Sequence, residues 1–168
     1  TMGNPNIVNN SDSEDTYKYK KKDGTTSASG QHGDDWADPG MAAAFYASVS
    51  EFASKPGNSG IQIMVNDASA FNPSKNLGHQ THKTGLDIDV RYLTSGNAGT
   101  NSYSNWNRSR NESFISTLQG HGFTNNYSHG NTYTTDKGVT HNAPTGGKLK
   151  GTKHANGHYN HLHVGFKR

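Results

Sequence analysis

Two short blocks of alternating side chains constrain this chain more than any other feature. In Leu86-Asp87-Ile88-Asp89-Val90 aliphatic residues alternate with carboxylates, and in His161-Leu162-His163-Val164-Gly165-Phe166 apolar residues alternate with imidazoles. Successive side chains on a strand point to opposite faces. A strand built from either block therefore buries its apolar set and sends its Asp or His pair to the other face. His161 and His163 would emerge ~6–7 Å apart along the strand. If the two strands pair side by side, both polar faces open onto one cleft, where one His can bind a metal while its neighbour transfers protons.

Five of the ten histidines crowd into these blocks and their approaches, at His79, His82, His158, His161 and His163. His82 lies seven residues before Asp89, a separation of roughly 23 Å on a continuous strand or roughly 10 Å on a helix. Neither lets both side chains reach one ion, so the chain has to fold back at Lys83-Thr84-Gly85, where glycine accepts dihedrals other residues resist. His32, His121, His129, His141 and His154 read instead as surface or hydrogen-bonded histidines.

The chain has no cysteine, so any metal is held by nitrogen and oxygen. Three such ligands point to zinc with an open coordination position. Zinc lowers the pKa of bound water to near 7 and polarises a carbonyl. Hydrolysis is the natural output.

The remaining pattern predicts a single α+β domain. Asp38 is placed to cap a helix whose first residue is Pro39, with Met41, Phe45, Val49 and Phe52 forming one apolar stripe and Pro56-Gly57 ending it. Strands are predicted at Ile61–Val65, ending in Asn66-Asp67, at Leu86–Tyr92 and at His161–Phe166. A second helix is predicted over about Asn111–Gln119, with Phe114, Ile115 and Leu118 inward and Gly120 at its end. Residues 95–105 read as a loop. Residues 124–157, almost without apolar periodicity, read as a long surface loop with room for one hairpin, of the kind that builds binding walls. Residues 1–35 read as a loosely packed arm, with Tyr17–Lys22 and Asp23-Gly24 suited to a hairpin, and residues 36–168 as the domain itself.

Composition narrows the function classes. Charged residues make up only 17% of the 168, with 16 Lys and Arg against 13 Asp and Glu for a net charge of +3. That basic density is ordinary and gives no reason to expect a nucleic-acid partner. No apolar run is long enough for a membrane span, and no signal peptide is visible.

At these residues the chain resembles the zinc metallopeptidases grouped with lysostaphin, D-alanyl-D-alanine peptidases and the hedgehog signalling domain, and within that group the penicillin-insensitive murein endopeptidases. The motifs are His79-x-x-His82, Gly85-Leu86-Asp87-Ile88-Asp89 and His158-x-x-His161-x-His163, preceded by a strand ending Val65-Asn66-Asp67-Ala68-Ser69. The likeness covers roughly residues 36–166. It implies a small antiparallel sheet flanked by helices and long loops, with the metal site on the open face of the sheet. It implies that His82, Asp89 and His163 ligate Zn2+ and that His161 is the unligated catalytic histidine. His79, His158, Asp87 and Asp67 become candidates for orienting the ligands or meeting substrate. A neighbouring subgroup uses a Glu near its final His, but no acid follows Asp136 here.

The expected function is therefore zinc-dependent hydrolysis of an amide in murein peptides, at a D-alanyl cross-link, with peptidoglycan or muropeptides as partner and a periplasmic or extracellular setting. Two rivals come from other classes. One is a non-catalytic zinc-binding cell-wall module. The other is a metal-dependent nuclease, disfavoured because only Lys83 and Arg91 supply cations near the blocks in sequence. Own-wall remodeller, delivered toxin and phage lysin would share this pattern, and no motif specifies an immunity or delivery protein.

Overall fold

The computed structural model describes residues 6–9, 18–20, 26–28, 37–68 and 85–167. In chain order these form β1 (Ile7–Asn9), β2 (Lys18–Lys20), β3 (Thr26–Ala28), α1 (Pro39–Ser54), β4 (Ile63–Asp67), β5 (Asp87–Val90), β6 (Tyr92–Leu93), β7 (Gly99–Thr100), a 3-10 turn at Tyr103–Asn105, α2 (Arg108–Gly120), β8 (Tyr127–Ser128), β9 (Tyr133–Thr134), β10 (Thr140–His141), β11 (Lys153–His154) and β12 (Leu162–Gly165). The class is α+β, as expected.

Helix α1 forms where its cap, proline and stripe coincide. The Asp38 carboxylate accepts from the backbone N–H of Gly40 at 2.9 Å and of Met41 at 3.2 Å, satisfying donors that have no partner within the helix. Met41, Phe45, Val49 and Phe52 are all buried. The backbone N–H of Asp38 donates to the Gly85 carbonyl at 2.8 Å, which ties the start of the helix to the approach to β5. Helix α2 begins a turn earlier than the apolar pattern predicts. Asn107 caps it by accepting from the Arg110 N–H at 3.0 Å, and the Arg-Ser-Arg turn that follows carries no apolar signal. The buried Asn111 side chain then bonds both backbone groups of Leu93, at 2.9 and 2.8 Å, docking α2 against β6.

The main sheet has the order β1-β4-β5-β12-β8-β11. It corrects the expectation of a purely antiparallel sheet. The central pairs β4–β5, β5–β12 and β12–β8 are antiparallel, but β1–β4 and β8–β11 are parallel. Parallel neighbours need long connections, and the excursions between β1 and β4 and between β8 and β11 supply them. β2 and β3 pair antiparallel, with Tyr19 opposite Ser27, where the hairpin was predicted. Strands also appear in stretches read as loop. β7 pairs with β6, and the 124–157 excursion holds β8, the β9–β10 hairpin and β11.

Ile88, Val90, Leu162 and Val164 lie in one buried cluster with the stripe of α1 and with Phe114, Ile115 and Leu118 of α2. At ~25 cal/mol per Å² of apolar surface removed from water, this side of the sheet provides the main folding drive. No helix among the described residues is long and apolar enough to cross a membrane.

Candidate functional site

Antiparallel pairing of β5 with β12 sets His163 opposite Asp89 and Gly165 opposite Asp87. Directly opposed residues share a face, so one row crosses the sheet. Asp89 stands opposite His163, His163 opposite Tyr127, and Tyr127 opposite Lys153, while the Asp67 backbone pairs with Asp89 past a register shift in β4. The His163 ring lies between two carboxylates, with Nδ1 2.9 Å from Asp89 Oδ1 and Nε2 3.1 Å from Asp87 Oδ1. His161 Nε2 is 3.5 Å from the other Asp89 oxygen. Gly165 makes room for this cluster, because a Cβ there would meet Asp87 Oδ1 at 3.0 Å and the Asn125 carbonyl at 2.8 Å.

This polar face is not the open surface expected. Asp89 is 3% exposed and His163 2%. The Tyr127 ring stands 5.6 Å from His163, and the His158 ring stands 5.8 Å from His163 and 4.6 Å from His161. The 124–157 excursion and the turn before β12 thus roof the row, leaving His161 as its more accessible imidazole.

Burial and charged partners together set the protonation states, and two histidines end up shifted in opposite directions. Burial alone would push the His163 imidazole down. Hydrogen bonds to Asp87 and Asp89, and the charge of both, outweigh it and raise His163 to about 9, so without a metal it is an imidazolium donating to both carboxylates. His158 is pushed down to about 4 by burial, reinforced by the neighbouring His161, and is neutral. Its Nδ1 faces the Asn156 carbonyl at 3.2 Å. A carbonyl only accepts, so Nδ1 carries the hydrogen and Nε2 keeps a lone pair. By the same logic His161 donates from Nδ1 to Asn160 Oδ1 at 2.7 Å, leaving Nε2 toward Asp89.

Tyr92 supports this arrangement from below. Its phenol, buried and with its pKa raised mainly by desolvation, donates to the His158 carbonyl at 2.6 Å and accepts from the His129 N–H at 3.0 Å.

His163 and Asp89 supply a nitrogen and an oxygen of the kinds zinc accepts. Two ligand atoms on a tetrahedral zinc, each ~2.0–2.2 Å from it, lie ~3.4 Å apart, so the hydrogen-bonded His163 Nδ1 and Asp89 Oδ1, 2.9 Å apart, would separate by about half an ångström to share one. The Nε2–Asp87 contact is the kind of bond that orients a metal-ligating histidine. His79, His82 and the side chain of Asp67 lie outside the described residues, and among the described residues no group of three or more His, Cys, Asp or Glu side chains is placed to hold a metal ion. No family model and no curated protein matches the chain.

A second cluster escaped the sequence reading. His129 is fully buried, with Nε2 2.7 Å from the Asn142 carbonyl. Around it stand Tyr103, Tyr133, His154 and His141, their ring centroids 4.1 to 6.3 Å away, and His141 stacks on Tyr159 at 3.9 Å. Burial pushes the His129 imidazole down. This aromatic wall joins the excursion to the His158–His161 turn. Only the density of Tyr and His in residues 124–161 could have signalled it.

Proposed function

We propose that this chain is a zinc-dependent peptidoglycan endopeptidase, hydrolysing an amide bond at a D-alanyl cross-link of murein peptides outside the cytoplasm. The observation that carries this reading is the convergence of Asp89 and His163, from distant stretches of sequence, at 2.9 Å with His161 beside them. The motif resemblance supports it by supplying His82 as third ligand. Bound there, zinc would supply a Lewis acid for the scissile carbonyl and lower the pKa of water.

The chain's own residues divide the remaining work. Asp87 holds His163 by Nε2 and keeps Nδ1 turned toward Asp89. His161, anchored through Nδ1 by Asn160, presents Nε2 to take a proton from the attacking water. As the C–O bond forms and the C–N bond breaks, it returns that proton to the leaving amine. Neutral His158 offers its Nε2 lone pair to a substrate N–H. The roof of Tyr127 and His158 limits water around the developing oxyanion, where charges and dipoles act more strongly.

The test is digestion of defined muropeptides by protein of measured zinc content, followed by mass spectrometry. Cleaved cross-links are expected; intact muropeptides with zinc bound overturn the proposal. His161→Ala should retain zinc and lose about 10²–10⁴ in turnover. Turnover unchanged in that variant would remove His161 from the catalytic role.

A further inference from the structure

The lateral row that joins Asp89 to His163 does not end there. It continues through Tyr127 to Lys153. Lys153 lies on β11, the edge strand of the sheet, and its backbone is fixed by its N–H donating to the Asn126 carbonyl at 2.9 Å. The side chain is exposed. Its ammonium stands 5.9 Å from the centroid of the Tyr127 ring, and that ring is in turn 5.6 Å from His163. Among the described residues no carboxylate pairs with Lys153.

Lys153 thus sits on the face of the candidate centre, its backbone two strand spacings, or ~10 Å, from that of His163. The carboxylates nearer the centre, Asp87 and Asp89, are taken up by His163, whereas Lys153 stands exposed at the end of the row, where an anionic substrate group can reach it. An extended peptide covers ~10 Å in about three residues.

We propose that Lys153 is a specificity-determining residue that receives a free carboxylate of the substrate peptide, about three residues or one branched side chain away from the hydrolysed amide. The inference rests on the function proposed above and deepens it. The acceptable substrate is a peptide that is acidic at that distance, and the Tyr127 ring keeps the ammonium extended along the row.

The experiment compares two muropeptides, one with its free carboxylates intact and one with them converted to primary amides, on wild type, Lys153→Gln and Lys153→Arg, all zinc-loaded. For wild type, amidation should raise KM about fivefold with kcat unchanged, the size expected of one exposed charge pair. K153Q should show that higher KM on both peptides, and K153R should restore the preference. Equal KM values for the two wild-type reactions overturn the inference, as does a K153Q defect of the same size on both peptides or one seen in kcat. If wild type cleaves neither peptide, the endopeptidase reading fails by itself. Calorimetric binding of the same two peptides then decides Lys153. Tighter binding of the acid form by wild type but not by K153Q supports the inference, and equal binding overturns it.

Discussion

Strands β5 and β12 present two faces built from the same eight-residue ladder, and the faces hold together by different physics. Toward the helices, Ile88, Val90, Leu162 and Val164 pack in a cluster where each contact is weak and non-directional. On the other side, Asp87, Asp89 and His163 are buried as well, yet each depends on named partners at hydrogen-bond distance. A packed apolar face tolerates replacement by residues of similar volume. A buried charged face does not, because removing one partner strands the others. The lesson is that burial alone does not distinguish core from site; the identity of the partners does.

That contrast can be broken most sharply by paired deletions. Asp89→Ala is expected to cost about 3 kcal/mol of stability, since it leaves buried His163 with one carboxylate instead of two, and to abolish zinc binding. Leu162→Ala on the opposite face should cost a similar ~3 kcal/mol through the cavity it leaves, with zinc stoichiometry unchanged. Denaturant titration alongside metal analysis reads both, and equal zinc retention in the two variants would erase the distinction between the faces.

A smaller change sharpens it. Asp87→Asn keeps the shape of the side chain but removes the charge facing His163 Nε2, and should weaken zinc binding about 10- to 100-fold. Competition with a chelator of known affinity measures this. An unchanged affinity would mean that Asp87 does not orient His163.

A further pair of effects comes from pH, and they have opposite signs. His163 is raised to about 9 in the folded protein, above the ~6.5 of an unfolded histidine. Its stabilising contribution is therefore complete below pH ~6.5 and is lost as pH rises through about 9. His158 is lowered to about 4, so the folded state resists its protonation and stability is lost as pH falls from ~6.5 through about 4. Zinc-free protein should accordingly show its highest denaturation midpoint near pH ~6.5. His163→Gln should flatten the alkaline limb and keep most of the acid one, because burial and His161 act on His158 ahead of His163. A midpoint that climbs steadily to pH ~9 would contradict the double carboxylate clamp.

How much of this was legible depends on how local the signal is. The stripe Met41, Phe45, Val49, Phe52 and the Asp38 cap lie within one helix, and the helix formed where they indicated. The alternation in the two blocks was equally local, and it separated the apolar and polar faces. The 124–157 excursion reads as surface loop in the sequence because what orders it is polar and non-local. Ser128 Oγ is 2.7 Å from Thr152 Oγ1 and accepts the Leu149 N–H at 3.1 Å. Arg108, on α2, reaches across to the Thr145 and Lys148 carbonyls. None of these contacts leaves a periodic trace. The same reason hid β1 as a parallel partner of β4, and hid His129, buried among rings drawn from four separate segments.

By itself, then, the sequence determined the class of the fold, the first helix with its boundaries, and which residues of β5 and β12 must share a face, because each of these follows from side-chain period along one stretch of backbone. Tertiary structure alone decided that Asp89 lies against His163 and not some other strand, that Tyr127 and His158 roof the pair, and that Lys153 ends the row. Those outcomes depend on which edges pair and in what register, and register is set by long-range packing that no single segment encodes.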